Sequence, residues 1–501
     1  MAPLTVADVQ SLRAGSAPLP TTTGASVSAD AFKSSHARRK PSARSLAHHF
    51  SFESAGFLGS AMKKSASLAS NRKIIPLGTG RPTPDFYPWN SLIFKAMQPT
   101  LQRPAAQDSP EALLMKTASK QGADYNLSLA LNYGSAAGSP HLLRFITEHM
   151  EIVHDPPYAD WGVCLTTGAT SALEMAYRIF CNRGDNILME AYTYPGALEG
   201  ARQLGLHIHG VPMDEEGPRA DDLQHILSVW DPSRGPKPRL FYTIPSGQNP
   251  TGATQSLERR RKIYQIAEEH DLIIIEDDPY YFLRTGSRTE EADQNTRLPS
   301  YLSIDGSGRV VRIDSTSKIL APGLRVGWVT ASAQIIDKFV GYQDVSTVAV
   351  AGPSQWMTWK LLDECWGHQG FLNWLDSLSL EYRVRRDILL DACDRYLPQQ
   401  ICSWVAPTYG MFLWISLDWQ KHPRFQKSMV QEDPHSHIAE IETGIGSQAL
   451  MEGVQTTPGS LFGCNRPPLK TLHFRMTFAA AAREDLEEGV KIFADVVKRE
   501  F

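Results

Sequence analysis

The stretch D-S-T-S-K-I-L-A-P-G-L-R-V-G-W, Asp314 to Trp328, decides the fold. Ser315 and Ser317 precede Lys318, and Arg325 follows beyond a Pro322-Gly323 turn. An amine that forms a Schiff base needs a fixed loop, little competing negative charge and a nearby cation to hold an anionic cofactor. This segment supplies all three. Taken alone, Ser-x-x-Lys equally describes a solvated surface amine, so the assignment depends on other segments agreeing.

Three others do. Residues Leu272 to Tyr280 read L-I-I-I-E-D-D-P-Y: a short apolar run fit for a buried parallel strand, ending in Glu276, Asp277 and Asp278. Carboxylates at the carboxyl end of such a strand sit where open α/β sheets bind ligands. A buried carboxylate needs a cationic or hydrogen-bonded partner, which a pyridinium nitrogen would supply. Ile244 to Gly252, I-P-S-G-Q-N-P-T-G, follows the apolar Leu240-Phe241-Tyr242; its two Pro and two Gly mark a fixed loop at a strand end. Asn249, preceding Pro250, is held away from the helical region, which fixes the angle of its amide. Leu165 to Ala176, L-T-T-G-A-T-S-A-L-E-M-A, turns from a strand into a helix through Thr167-Gly168-Ala169-Thr170. A helix start made of small residues offers free N–H groups and the positive dipole end to a phosphate; ordinary N-capping by Thr170 is the plainer alternative.

Phosphate turn, Asn loop, acidic strand end and Lys loop, in that order, resemble the fold-type I pyridoxal-phosphate enzymes, specifically the class I aminotransferases. The sequence is most similar to the fungal aromatic amino acid aminotransferases and the kynurenine/2-aminoadipate aminotransferases. Further matching stretches are Gly78 to Trp89, Leu131 to Gly138, Tyr409 to Trp414 and His473 to Phe478. The resemblance covers roughly residues 70 to 500, with a short echo at Arg38 to Ser42. It implies an α/β fold: a large cofactor-binding domain built on a mostly parallel sheet covered by helices, and a smaller α/β domain drawn from both chain ends.

The resemblance also implies roles. Lys318 would hold pyridoxal 5'-phosphate covalently and move the proton at the substrate Cα. Asp277 would pair with the pyridine nitrogen, Tyr280 and Asn249 with the ring hydroxyl, and Tyr194 would stack on the ring. Ala169, Thr170, Ser315, Ser317 and Arg325 would grip the phosphate, with Tyr133 reaching that of a neighbouring subunit, so a homodimer with shared sites is expected. Arg475 would clamp the substrate α-carboxylate, with Asn249 and the Gly80 backbone beside it and Phe412 as an apolar wall. Two departures stand out. Many relatives carry Ser-Gln where Ala169-Thr170 stand, and usually Gly-Gly-Leu-Pro where this chain has Thr79-Gly80-Arg81-Pro82. A desolvated Arg81 would favour substrates with a distal carboxylate; an outward-turned Arg81 would only snorkel.

A chain of 501 residues exceeds what one hydrophobic core supports, so two domains are expected. The expected division is 1–70 as a flexible tail and arm, 71–134 as the N-terminal part of the small domain, 135–385 as the large domain and 386–501 as the C-terminal small domain. Apolar runs at 163–166, 187–189, 240–243, 272–275, 310–313 and 326–329 alternate with helical patterns such as Leu257 to His270. Trp374 to Tyr396 reads as a long helix; Arg284 to Ser300 and Asp418 to His437 read as surface insertions. The net charge of -4 gives no reason to expect nucleic acid or an anionic membrane as partner, and no apolar run approaches a membrane span. Six scattered Cys without a C-x-x-C pair indicate neither a metal site nor a disulfide framework. The Ala/Ser/Pro-rich start carries basic residues, but Asp8 and the lack of an Arg stripe favour the cytoplasm over mitochondria.

The expected activity is transfer of an amino group from an aromatic, 2-aminoadipate, kynurenine or Lys-like donor to a 2-oxo acid such as 2-oxoglutarate, in primary or specialised metabolism. A lyase or decarboxylase on the same fold is the alternative, since fold does not fix chemistry. An aminotransferase-like transcription regulator would need a basic helix-turn-helix module, which the polar segment before residue 70 does not supply.

Overall fold

The computed structural model describes residues 4–22, 26–60, 77–78, 80–99, 113–122, 125–288, 297–427, 434–464 and 471–501. The chain divides into two compact units, Met1–Asn182 with Pro299–Trp374 and Arg183–Leu298 with Leu375–Phe501.

In the first unit the strands Trp161–Thr166, Gly327–Ser332 and Val310–Ser315 lie side by side in that order, antiparallel. All three are buried along their whole length, which is why they read as continuous apolar runs. The two charges inside them, Arg312 and Asp314, are both buried and pair with each other at two points, 2.9 and 2.8 Å. The Ala169–Phe180 helix follows the Trp161–Thr166 strand, and its buried side chains Leu173, Met175, Ala176, Ile179 and Phe180 form one apolar face. A separate hairpin pairs Ser91–Met97 with Leu113–Ser119.

The second unit holds the parallel strands, ordered Ile273–Asp277, Leu240–Thr243, Asn186–Glu190, His207–Val211. The helix Leu257–Glu269 follows the second of these in the chain, as its pattern predicts. A second, antiparallel sheet runs Cys402–Trp404, Phe412–Leu417, Leu472–Thr477, Thr457–Pro458. Its register sets Arg475 directly between Trp414 and Thr457.

The N-terminal segment departs from expectation. Instead of a flexible tail throughout, Val6–Ala14 forms a helix closed by a reciprocal Thr5–Asp8 capping box, and Val9 is buried. The helix is anchored by Arg13, whose Nε lies 2.9 Å from Glu148 Oε1 and whose Nη1 lies 2.6 Å from Asp363. His368 Nε2 meets the same Glu148 at 3.0 Å. Composition conceals such docking, because one correctly placed guanidinium outweighs a run of small residues. Burial would raise the Glu148 carboxyl; hydrogen bonds from His368 and Arg13 overcome it and hold it at about 2. A depressed carboxylate contributes stability above its unfolded pKa of about 4.5 that is lost as pH falls toward the folded value. Arg13→Ala is therefore expected to cost about 1–3 kcal/mol at neutral pH, between an exposed and a buried pair, and to move acid unfolding to higher pH. Circular dichroism melts across pH 2–7 would check this; superimposable acid transitions would refute the anchoring role.

Other differences are smaller. The long helix begins earlier than predicted, spanning Gly367–Tyr396. Within Asp418 to His437 the chain makes short helical pieces, Trp419–Lys421 and Pro423–Lys427, and a third helix starts at Pro434. Part of that stretch, 428–433, and part of the other expected insertion, 289–296, lie outside the described residues, as does Thr79. Among the described residues no helix is long and apolar enough to cross a membrane.

Candidate active site

The first unit gathers the residues predicted to bind a phosphate. Lys318 stands in the turn immediately after the Val310–Ser315 strand, half-buried. That turn is fixed from several sides: Thr316 N and Oγ1 both donate to Val326 O, at 3.0 and 2.9 Å, and Trp374 Nε1 donates to Ile319 O at 2.7 Å. Ser315 and Ser317 face one another at 2.9 Å, and Arg325 Nη1 donates to Ser317 Oγ at 3.3 Å. Arg325 is itself left-handed, φ 51°, which swings its exposed side chain back so that Nη2 reaches Thr167 O at 3.3 Å.

The predicted phosphate turn is therefore assembled from segments about 150 residues apart in sequence. Gly168, not Thr170, is the N-cap of the Ala169–Phe180 helix, and no side chain caps it. The capping alternative for Thr170 thus falls: Ala169 and Thr170 are the first helical residues, and Thr170 is exposed. Gly168 adopts φ 81°, ψ 169°, a region nearly exclusive to glycine. A Cβ built there would lie 2.2 Å from Arg325 Nη2. An uncapped helix start flanked by a guanidinium and two hydroxyls fits a phosphate dianion. Gly168→Ala is expected to destabilise by about 1–3 kcal/mol from backbone strain alone and to weaken phosphate binding by displacing Arg325. Thermal melting with and without inorganic phosphate checks both; an unchanged phosphate-dependent increment would remove the second claim.

The second unit gathers the acidic residues and those predicted to face substrate. Asp277 closes its strand, buried, and accepts a hydrogen bond from Tyr242 OH at 2.7 Å. Tyr280 is buried edge-on against Phe412, ring centroids 5.5 Å apart. Burial drives the Tyr280 phenol upward, with the Asp277 charge adding to the rise. Asn249 is also a hydrogen-bond partner of that phenol, and its Oδ1 accepts from Arg475 Nη1 at 2.7 Å. Arg475 packs against two aromatic rings, 4.4 Å from Phe412 and 4.9 Å from Phe462, and a longer 3.4 Å contact reaches Thr457. Its Nε is buried without a hydrogen-bond partner among the described residues. Burial lowers the guanidinium's pKa. A half-buried cation with a buried donor to spare can receive an anion.

The loop bearing Asn249 is rigid. Arg260, fully buried, donates to Pro245 O at 3.2 Å and Ser246 Oγ at 3.0 Å. The Asn249-Pro250 peptide is cis. Gly247 and Gly410 touch backbone to backbone: a Cβ on Gly247 would lie 2.5 Å from Gly410 Cα, and one on Gly252 would lie 2.7 Å from Phe412 O. Tyr194 caps the Pro195–Gln203 helix, half-buried, with its ring folded over Gly196.

Of the other predicted residues, Tyr133 is exposed and its N–H is taken by Asn132 Oδ1 at 2.8 Å. Gly80 is exposed, and Arg81 is half-buried with no ion pair among the described residues. Sequence reading passed over Tyr242, Phe462, Glu190 and Gln248. Tyr242 carried a signal, since a phenol inside a buried strand needs a partner for its hydroxyl. Glu190 carried another, ending an apolar strand as Asp277 does.

Comparison with known proteins agrees with this geometry. The profile of the family described as aminotransferase class I and II matches residues 97–493. Aminotransferase swnA of Metarhizium robertsii is 47% identical over 467 residues, covering 91% of this chain and 92% of the relative. An aromatic amino acid aminotransferase of Schizosaccharomyces pombe is 38% identical, covering 91% and 98%. The crystal structure of aminotransferase Aro8 from Candida albicans superposes with a TM-score of 0.84 at 36% identity, covering 92% of this chain and 99% of that one. With the Lys318 turn, the uncapped Gly168 helix and the enclosed Arg475 all in place, this chain belongs to the aminotransferase class I and II family.

Proposed function

We propose that this aminotransferase uses pyridoxal 5'-phosphate to move an amino group from an aromatic, 2-aminoadipate, kynurenine or Lys-like amino acid to a 2-oxo acid such as 2-oxoglutarate. The observation that carries the reading is Arg475: a guanidinium stacked between two rings, partnered by Asn249 and holding an unused buried N–H. When bound, pyridoxal phosphate supplies a carbonyl that takes up the amino group and a ring that withdraws electrons from the substrate Cα. The chain's own residues do the rest. Ser315, Ser317, Arg325 and the N–H groups of Ala169 and Thr170 would bind the phosphate. Asp277, oriented by Tyr242, would keep the ring nitrogen protonated. Tyr280 and Asn249 would bond the ring hydroxyl, and Tyr194 would cover a ring face. Lys318 Nζ would take the proton from the substrate Cα and return it. Arg475 would fix the α-carboxylate, and with it the direction of the Cα–H bond, with Gly80 and Phe412 completing that end.

The same reading assigns residues 135–385 to the cofactor-binding domain, and 71–134 with 386–501 to the smaller one. It takes Tyr133, exposed as it is, to reach a second copy of the chain in a homodimer, and places the enzyme in the cytoplasm.

A panel of amino donors against 2-oxo acids, with 2-oxoglutarate as the first acceptor, tests the function. Turnover of aromatic or aminoadipate donors supports the reading; elimination or decarboxylation without amino transfer would overturn it. Within that panel Arg81 is the specificity residue to watch. Arg81→Leu is expected to reduce kcat/KM for dicarboxylic substrates about ten- to hundredfold relative to aromatic ones, the worth of one charge-assisted hydrogen bond of roughly 1.5–3 kcal/mol. Equal loss on both classes would return Arg81 to a solvent-facing role.

A further inference from the structure

Behind the substrate-facing residues of the second unit lies an acid with no part in the chemistry described above. Glu190 ends the Asn186–Glu190 strand and is fully buried. Its Oε1 accepts from Thr243 Oγ1 at 2.6 Å and from Ile244 N at 3.1 Å, and its Oε2 accepts from Gln248 Nε2 at 2.6 Å. Gln248 is equally enclosed, and its carboxamide is fully used. Nε2 donates a second bond to Tyr192 O at 2.7 Å, while Oε1 accepts from Thr251 N and Thr251 Oγ1, each at 2.8 Å. Two donors and two lone pairs are all a carboxamide has.

The consequence lies between the two ends of that clamp. Residues 248 and 251 bracket Asn249-Pro250, so pinning Gln248 to Glu190 on one side and Thr251 on the other fixes where the Asn249 side chain points. Asn249 Oδ1 in turn holds Arg475 Nη1 at 2.7 Å. An acid buried this deeply is expensive, and an apolar residue would fill the volume more cheaply. What an apolar residue lacks is two oxygens that accept from the Gln248 amide and the Ile244 N–H at once. Glutamine does not replace it either. Whichever way its amide turns, the nitrogen faces one of those donors.

We propose that Glu190 is a positioning residue for substrate binding: through Gln248 it sets the carboxamide of Asn249, and through Asn249 the direction in which Arg475 presents its fork to the substrate carboxylate. The inference rests on the aminotransferase reading of Arg475.

The test is a donor–acceptor swap. Gln248→Glu removes the N–H donors that reach Glu190 Oε2 at 2.6 Å and Tyr192 O at 2.7 Å and puts oxygens in their place. It should raise KM for amino donor and 2-oxo acid alike, roughly tenfold, with kcat changed less than about threefold. Adding Glu190→Gln turns the pair round: the new amide donates to the new acid and its oxygen still accepts from Thr243 and Ile244, while Tyr192 O stays without its donor. The double variant should lower KM again, recovering about half of the logarithmic loss, the remainder reflecting the unrestored Tyr192 O contact. The dissociation constant of 3-phenylpropionate, an unreactive carboxylate, should follow KM in both proteins when measured by equilibrium dialysis. A single variant with unchanged KM, or a double variant no better than the single one, overturns the proposal. If Gln248→Glu does not fold, Glu190→Gln alone carries the test: its KM should rise about fivefold, the loss of one hydrogen bond, and an unchanged value refutes the linkage. Wild-type protein unable to transfer an amino group would instead sink the aminotransferase reading itself, so the two failures are distinguishable.

Discussion

Lys318→Ala is expected to lower the rate of amino transfer by about four orders of magnitude or more, the upper range for removing a positioned acid–base group, since in the proposed role the same change would also remove the covalent anchor. The fixed turn makes the expectation specific. Thr316 is doubly bonded to Val326 O and Ile319 O is held by Trp374, so the loop keeps its shape when the amine is deleted. The loss should therefore fall on the chemical step, with melting temperature close to wild type. Single-turnover mixing of each variant with amino acid isolates that step. Borohydride treatment of wild-type protein followed by peptide mapping should place the pyridoxyl group on Lys318 alone. A label on another lysine, or substantial turnover by Lys318→Ala, would overturn the assignment.

The second large effect belongs to Arg475. Arg475→Leu is expected to cost about 2–5 kcal/mol of kcat/KM, some thirty- to several thousandfold, as for truncation of one partner of a buried charge pair. Arg475→Lys should recover little. A lysine offers a point charge where Asn249 and a planar carboxylate call for a fork, and it stacks less well between Phe412 and Phe462. Folding should tolerate the leucine variant, because removing the guanidinium also removes a half-buried cation whose buried Nε is unsatisfied. Steady-state kinetics beside thermal melts separate the outcomes. A collapse in stability with kcat/KM intact per folded molecule would make Arg475 a structural residue.

Much of this was legible in the sequence because a buried strand end is a severe filter. Leu272 to Tyr280 announces itself: an apolar run cannot close on three acids unless something outside the strand compensates them. The same holds for Arg475 among alternating apolar residues, and for the Lys318 turn with its serines. Two kinds of information stayed hidden. One is pairing across distance. That Arg325 swings back to Thr167, and so forbids a side chain at Gly168, depends on a left-handed residue in a turn that local pattern does not betray. The other is docking of weakly patterned segments. The stretch before residue 37 looks like a solvated tail until Arg13 is seen between Glu148 and Asp363. Glu190 lay between these cases: its position was suggestive, but its donors come from residues 243–248, and only the fold joins them.

The backbone contact between Gly247 and Gly410 has a consequence for anyone who would refit this enzyme to new substrates. Two chain segments that meet without room for a single methyl group behave as a tongue and its groove. Grafting the Ile244–Gly252 loop from a relative while leaving the Tyr409–Phe412 turn native would set two unmatched curvatures against each other, and the misfit would emerge at Phe412, whose carbonyl abuts Gly252 and whose ring lines Arg475. The two segments are one cassette, to be exchanged together or left alone, and libraries aimed at Phe412 will tolerate changes of ring far better than changes of backbone.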